Sequence, residues 1–152
     1  MTLKYYELPF GAQLLLWTSR MIIKGNCRAN PNKYELVDMA FKKVGMINGK
    51  DLLRKFLVFI KNKKNFNLQS ICRNDLIINE VMLINCIENN KDANFNNNYY
   101  IDIWSIRETK NFNLAVKALA FAYKNNNLNT NLKNLIFTKE VGKTNFINNT
   151  LH

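Results

Sequence analysis

The sequence predicts an all-α protein, an irregular bundle of five to six helices over residues 7–125. A weakly structured C-terminal extension, partly docked or mobile, follows over 126–152. Three observations predict this. Apolar residues recur at three- and four-residue spacing along most of the chain, the period of a helix with one buried face. Pro9, Gly25, Pro31 and Gly45 stand at the ends of the periodic segments, where helices start and stop. The strand-like alternation at Ile101 and Ile103 has no partner strand nearby. A chain of 152 residues, 47% of them apolar, has the length of one domain and the means to build a true core.

Leu8-Pro9 opens the first helix, with Pro9 in the first turn, where its missing N–H costs nothing. Phe10, Leu14, Trp17 and Met21 then form a stripe on one face. Gln13, Arg20 and Lys24 mark the opposite side, and Gly25 ends the helix. Asn30-Pro31 starts the second helix, in which Tyr34, Val37, Phe41 and Val44 share a face before Gly45. The third helix runs from about Gly49 to Lys64. Leu52, Leu53, Phe56, Leu57, Phe59 and Ile60 give it a wide buried face, and Lys61, Lys63 and Lys64 meet the negative end of its dipole.

A connector from Asn65 to Asn74 leads to a fourth helix, with Asp75 as the expected N-cap. Ile77, Val81, Ile84 and Glu88 line one side of it; Ile78, Met82 and Cys86 line another. Residues 89–98 read as an Asn-rich solvated loop, and Tyr99–Arg107 as a short helix. Asn113 is placed as the cap of a further helix, Leu114 to Tyr123. That segment is apolar on nearly every side, the pattern of a buried central helix. Ala115, Ala118, Ala120 and Ala122 would let its neighbours approach closely. Leu128, Leu132 and Leu135 keep helical spacing, whereas Ile136-Phe137-Thr138 is strand-like.

Charge is unevenly distributed. Residues 20–73 hold thirteen Lys and Arg against Glu35, Asp38 and Asp51, which is nearly all of the chain's net charge of +11. Residues 74–110 are acidic. A basic block attracts polyanions. Its candidate binding residues are Arg28, Lys42, Lys43, Lys50, Arg54, Lys55, Lys61, Lys63 and Lys64. The chain also has 27 asparagines, and Lys outnumbers Arg by 17 to 5. Asn, Lys, Ile and Phe are the residues of A- and T-rich codons, so codon usage accounts for part of the lysine content.

Several chemistries find no residues to perform them. Cys27, Cys72, Cys86 and the terminal His152 supply no zinc-ligand spacing. Cysteine and serine nucleophiles lack a histidine base. Neither phosphate-binding glycine motif occurs. No metal or cofactor is therefore expected. The cysteines read as small core residues in a reducing cytoplasm, and the longest apolar stretch is too short to span a bilayer. Glu35 and Asp38 share a helix face, but Lys42 one turn on makes them ordinary surface charge partners. Residues 34–62 outline a helix-turn-helix with Gly45 in the turn. Phe41 stands where that motif needs a small residue, and Lys50 to Ile60 is too apolar for a reading face. Tyr5, Tyr6, Tyr34 and Phe66 are the candidates for stacking on bases.

Leu8-Pro9, Gln13-Leu14-Leu15-Leu16-Trp17 and Arg20 resemble the N-terminus of short uncharacterised helical proteins of alphaproteobacteria. In those proteins a cysteine-bearing connector precedes an acid-led helix, an arrangement that Cys72, Asp75 and Glu80 match. The resemblance covers roughly residues 7–125 and implies an all-helical fold without implying any site. A second cysteine often stands beside the first in that group; Ile71 and Arg73 occupy those places here.

The expected function is that of a small basic cytoplasmic accessory or regulatory protein, binding another macromolecule through a helical surface. The expected partner is an acidic protein or a nucleic acid, and a homo-oligomer is compatible with the sequence. Nonspecific RNA or DNA binding through residues 20–73 is the first alternative. An enzyme with a carboxylate site drawn from Glu35, Asp38, Glu80, Glu88 and Asp102 is the second.

Overall fold

A computed structural model describes residues 3–25, 32–61, 66–91, 106–133 and 135. Within them the chain forms a single 3-10 turn, Tyr5–Glu7, and five helices. These are α1 (Phe10–Lys24), α2 (Lys33–Lys43), α3 (Gly49–Ile60), α4 (Ile78–Asn89) and α5 (Ile106–Asn125). The expected all-α class is what is found. The helices pack as a closed ring in the order α1–α2–α3–α5–α4, and α1 also touches α3. Leu15, Leu16, Val37, Phe41, Leu53, Phe56, Ile84, Phe112, Val116 and Leu119 are fully buried where these faces meet. The Phe112 ring lies 5.7 Å from Phe56 and 6.1 Å from Phe59, fixing α5 against α3. Phe41 meets Tyr123 edge-on at 6.4 Å, which ties α2 to α5.

Local chemistry sets the helix ends. Pro9 is extended and serves as the N-cap of α1. Gly45 turns the chain between α2 and α3 with φ 86°, a conformation that favours glycine. After α5 the same task falls to Asn127 at φ 56°, and the Leu128 N–H returns to the Tyr123 carbonyl. The Asn90 and Asn126 side chains donate to the Cys86 and Ala122 carbonyls, at 2.7 and 2.8 Å, satisfying last-turn acceptors. Some of the abundant asparagine thus closes helices.

Two tethers bind the irregular segments to the bundle. At the N-terminus, Lys4 and Asp75 form an isolated antiparallel bridge. In it the Tyr5 N–H donates to Asn74 and the Leu76 N–H to Leu3. At the other end, residues 128–132 form an irregular segment docked on the bundle. Leu128, Thr130 and Leu132 are buried, and the Ala12 N–H donates to the Asn129 carbonyl at 3.0 Å. Gly11 permits this approach, because a Cβ there would lie 2.7 Å from the Leu128 carbonyl carbon. The start of the 126–152 extension is therefore docked, and Leu128 and Leu132 are buried from an irregular strap.

Several sequence expectations need correction. Helix α4 begins at Ile78 with Ile77 as its N-cap; Asp75 belongs to the bridge with Lys4. Helix α3 stops at Ile60, so Lys61 lies just past it, while Lys63 and Lys64 are outside the described residues. Asn113 caps nothing, because α5 is one continuous helix running through it. Nor is α5 buried all round: Leu114 and Phe121 are 60% and 63% exposed. Phe10 heads the expected apolar stripe of α1 but is 60% exposed. Of the Tyr99–Arg107 segment, 99–105 lies outside the described residues, and Ile106 and Arg107 begin α5. Cys86 is a buried core thiol, as expected. Cys72 is exposed at a turn and disulfide-bonded, and Cys27 lies outside the described residues.

The largest departure concerns Arg20. The sequence places it on the polar side of α1, yet it is only 1% exposed. Its Nε donates to Glu80 Oε2 at 2.6 Å and its Nη2 to Glu80 Oε1 at 3.0 Å. Its Nη1 and Nη2 also donate to the Arg73 and Asp75 carbonyls. Glu80 is fully buried and accepts two further bonds, from the Gln69 and Ile77 N–H groups. A bidentate pair supported by further hydrogen bonds to both partners is the form in which a buried ion pair is tolerated. It locks α1, the 66–77 connector and the first turn of α4 together.

Candidate binding surface on α3

Helix α3 buries Leu53, Phe56, Leu57 and Ile60 and turns Asp51, Arg54, Lys55 and Val58 to solvent, with Lys61 following. The outer residues recur at helical spacing and form a ridge. A cleft lies on each side of it. Toward α1 and α2 is a cleft of about 440 Å³ lined by Ile22, Tyr34, Arg54, Leu57, Lys61 and Asp51, among others. Toward α5 is a groove of about 390 Å³ lined by Leu52, Phe59, Asn111, Leu114, Ala115 and Ala118. Lys55 and Val58 border both.

The first cleft is cationic and carries one aromatic wall. The Arg54 guanidinium carbon lies 4.7 Å from the centre of the Tyr34 ring. Lys33 Nζ lies 5.2 Å from the same ring, and also donates to the Ile22 carbonyl at 2.9 Å. Cations over a tyrosine face are attracted by its quadrupole, so Tyr34 holds Arg54 in a defined position. Asp51 supplies the one carboxylate of the lining.

Of the nine expected binding residues, Arg54, Lys55 and Lys61 come together here. Lys42 instead pairs with Asp38 at 2.8 Å across one turn of α2. That hydrogen bond, followed by the charges of Lys42 and Lys50, holds the Asp38 carboxyl below its usual value; the same bond raises Lys42. Lys43 is exposed in the last turn of α2. The basic block therefore divides between a ridge on α3 and a charge-paired cluster at the end of α2. Arg28, Lys63 and Lys64 lie outside the described residues.

Among the described residues the expected carboxylates do not converge. Glu80 is committed to Arg20, and Glu88 contacts Lys91 and accepts from Thr130. Neither these two nor Glu35 and Asp38 line either cleft, and Asp102 is outside the described residues. Among the described residues no group of three His, Cys, Asp or Glu side chains is placed to hold a metal ion. No described helix is long and apolar enough to cross a membrane.

Sequence reasoning missed the groove beside α5 and the Tyr34–Arg54 stack. The groove had one legible signal: an apolar segment interrupted by Lys117 has a solvent side at that lysine's position. The stack joins residues twenty apart on different helices, and no local pattern announces it. Comparison with protein families, curated proteins and solved structures yields no match for this chain.

Proposed function

We propose that this protein is a small accessory or regulatory protein that binds another macromolecule, an acidic protein, through the outer face of α3. The observation that carries this is the ridge of Arg54, Lys55, Val58 and Lys61 between two open clefts. A preformed helical face needs no ordering on binding, which lowers the entropic cost of association. Its cations steer encounter with an acidic surface, and Val58 with the neighbouring apolar lining supplies desolvated contact.

Affinity capture from the native cell, with and without nuclease, tests the reading. The expected result is a protein partner that survives nuclease and is lost with the triple variant Arg54→Glu, Lys55→Glu, Lys61→Glu. All three side chains are exposed, so circular dichroism should show the fold retained. The cationic cleft with its Tyr34 wall also favours a second reading, nonspecific binding of nucleic acid phosphates. That reading predicts capture abolished by nuclease, and RNA affinity that falls linearly with salt on logarithmic axes.

A further inference from the structure

We propose that the groove between α3 and α5 receives the apolar face of an acidic amphipathic helix from the partner protein. This rests on the macromolecule-binding reading above and specifies what is bound and where. The groove is a slot between two packed helices, the shape into which a third helix sets a ridge of side chains. Its floor is Leu52, Phe59, Ala115 and Ala118, and the two alanines keep it open. Val58 and Leu114 on its borders are 53% and 60% exposed. The apolar strip continues along α5 to Phe121, 63% exposed and seven residues beyond Leu114. From Asn111 to Phe121 the strip runs about 15 Å at helical rise, matching a partner helix of about three turns.

Charge selects among occupants. Helix α3 with Lys61, together with residues 110–125 of α5, carries seven cations: Lys50, Arg54, Lys55, Lys61, Lys110, Lys117 and Lys124. The same stretches contain one acid, Asp51. A second copy of the chain would set this excess against itself, whereas a helix with Glu or Asp beside its apolar stripe complements it. A flat bilayer surface would reach the bordering Val58 and Leu114 and leave the floor of the slot unfilled. Nucleic acid would meet a largely apolar lining in which Lys55 is, among the described residues, the one cation available to a phosphate.

The test uses the full chain and a synthetic helical peptide of about fourteen residues, four turns. Its Leu residues recur at i, i+4 and i+7 and Glu flanks them; a control keeps the Leu and replaces Glu by Lys. Ala118→Gln fills the groove from an exposed helical position with a good helix former. By fluorescence anisotropy the Glu peptide should bind, the Lys peptide at least roughly tenfold more weakly, and Ala118→Gln should cost at least roughly tenfold, about 1.4 kcal/mol. Equal binding of the two peptides, indifference to Ala118→Gln, or no binding of the Glu peptide overturns the proposal. So does a dimer, or adhesion to anionic phosphatidylserine vesicles, that Ala118→Gln abolishes, because another occupant then fills the groove. If the captured partner is lost with the Arg54, Lys55 and Lys61 reversal but indifferent to Ala118→Gln, the partner-binding reading stands and this inference falls.

Discussion

Replacing Glu80 by Gln exchanges one oxygen for an NH2 group and removes a fully buried charge. Glu80 accepts four hydrogen bonds: from Arg20 Nε and the Gln69 N–H on Oε2, and from Arg20 Nη2 and the Ile77 N–H on Oε1. Glutamine keeps one oxygen, so two of these bonds persist. The other two donors then face an NH2 group that cannot accept. Each buried donor left without a partner costs about 1–3 kcal/mol, giving a loss of about 2–6 kcal/mol. That range brackets the roughly 3–5 kcal/mol typical of breaking a buried ion pair by removing one partner. Taking about 4 kcal/mol, and roughly 2–4 °C per kcal/mol for a chain of this size, the midpoint of thermal unfolding should fall by about 8–16 °C. Urea unfolding followed by circular dichroism measures the change directly. The double variant Arg20→Met, Glu80→Leu should lose less than the two single variants together, because neither charge is left buried alone. A loss below about 1 kcal/mol for Glu80→Gln, or strict additivity in the cycle, would refute the view that this pair organises α1, the connector and α4.

Three further outcomes follow from the packing and the titrating groups. Gly11→Ala places a methyl against the backbone of the strap, within 2.8 Å of the Asn129 carbonyl carbon. Overpacking of this kind costs about 1–3 kcal/mol, and hydrogen exchange should show the Ala12 amide losing protection as the strap lifts. Gly49→Ala drives a Cβ into the Phe41 ring, 2.6 Å from Cδ1. A loss of similar size should be reduced in the double variant Gly49→Ala, Phe41→Leu, as urea titrations of the single and double variants would show. Burial pushes the Tyr123 phenol far above its usual value of 10.0, and its hydroxyl has no hydrogen-bond partner among the described residues of the core. Its folded pKa is raised, so stability from this group is fully present below pH 10.0 and is lost as pH rises beyond it. Tyr123→Phe should unfold less steeply with alkali, read from ultraviolet phenolate absorbance alongside circular dichroism.

Much of the bundle was legible because helices announce themselves locally. Val37 and Phe41 on α2, and Leu53, Phe56, Leu57 and Ile60 on α3, are buried where their spacing put them. Gly25 and Gly45 end α1 and α2 as their composition implied. The fate of Arg20 was illegible, since an arginine among polar positions of one helix usually faces water. It faces the core here because Glu80, sixty residues later, brings a carboxylate to the same point. The outer face of α5 was misread for the converse reason. Leu114 and Phe121 look like core residues by type, and only the positions of α3 and α4 decide which side of the helix is covered. Among the binding residues, Arg54 and Lys55 were evident as exposed cations. Their separation from Lys42, held by Asp38, needed the geometry.

Sequence alone determined the all-α class, the core faces of α2 and α3, and the excess of positive charge in residues 20–73. These depend on periodicity and composition, which act over one or two helical turns and need no knowledge of neighbours. Tertiary structure decided which charges are buried, which apolar residues are left at the surface, and which cations share a cleft. Those outcomes depend on what each face meets across the bundle. Burying Arg20 is tolerable only with Glu80 beside it, and Leu114 borders a groove only because α3 and α5 pack side by side.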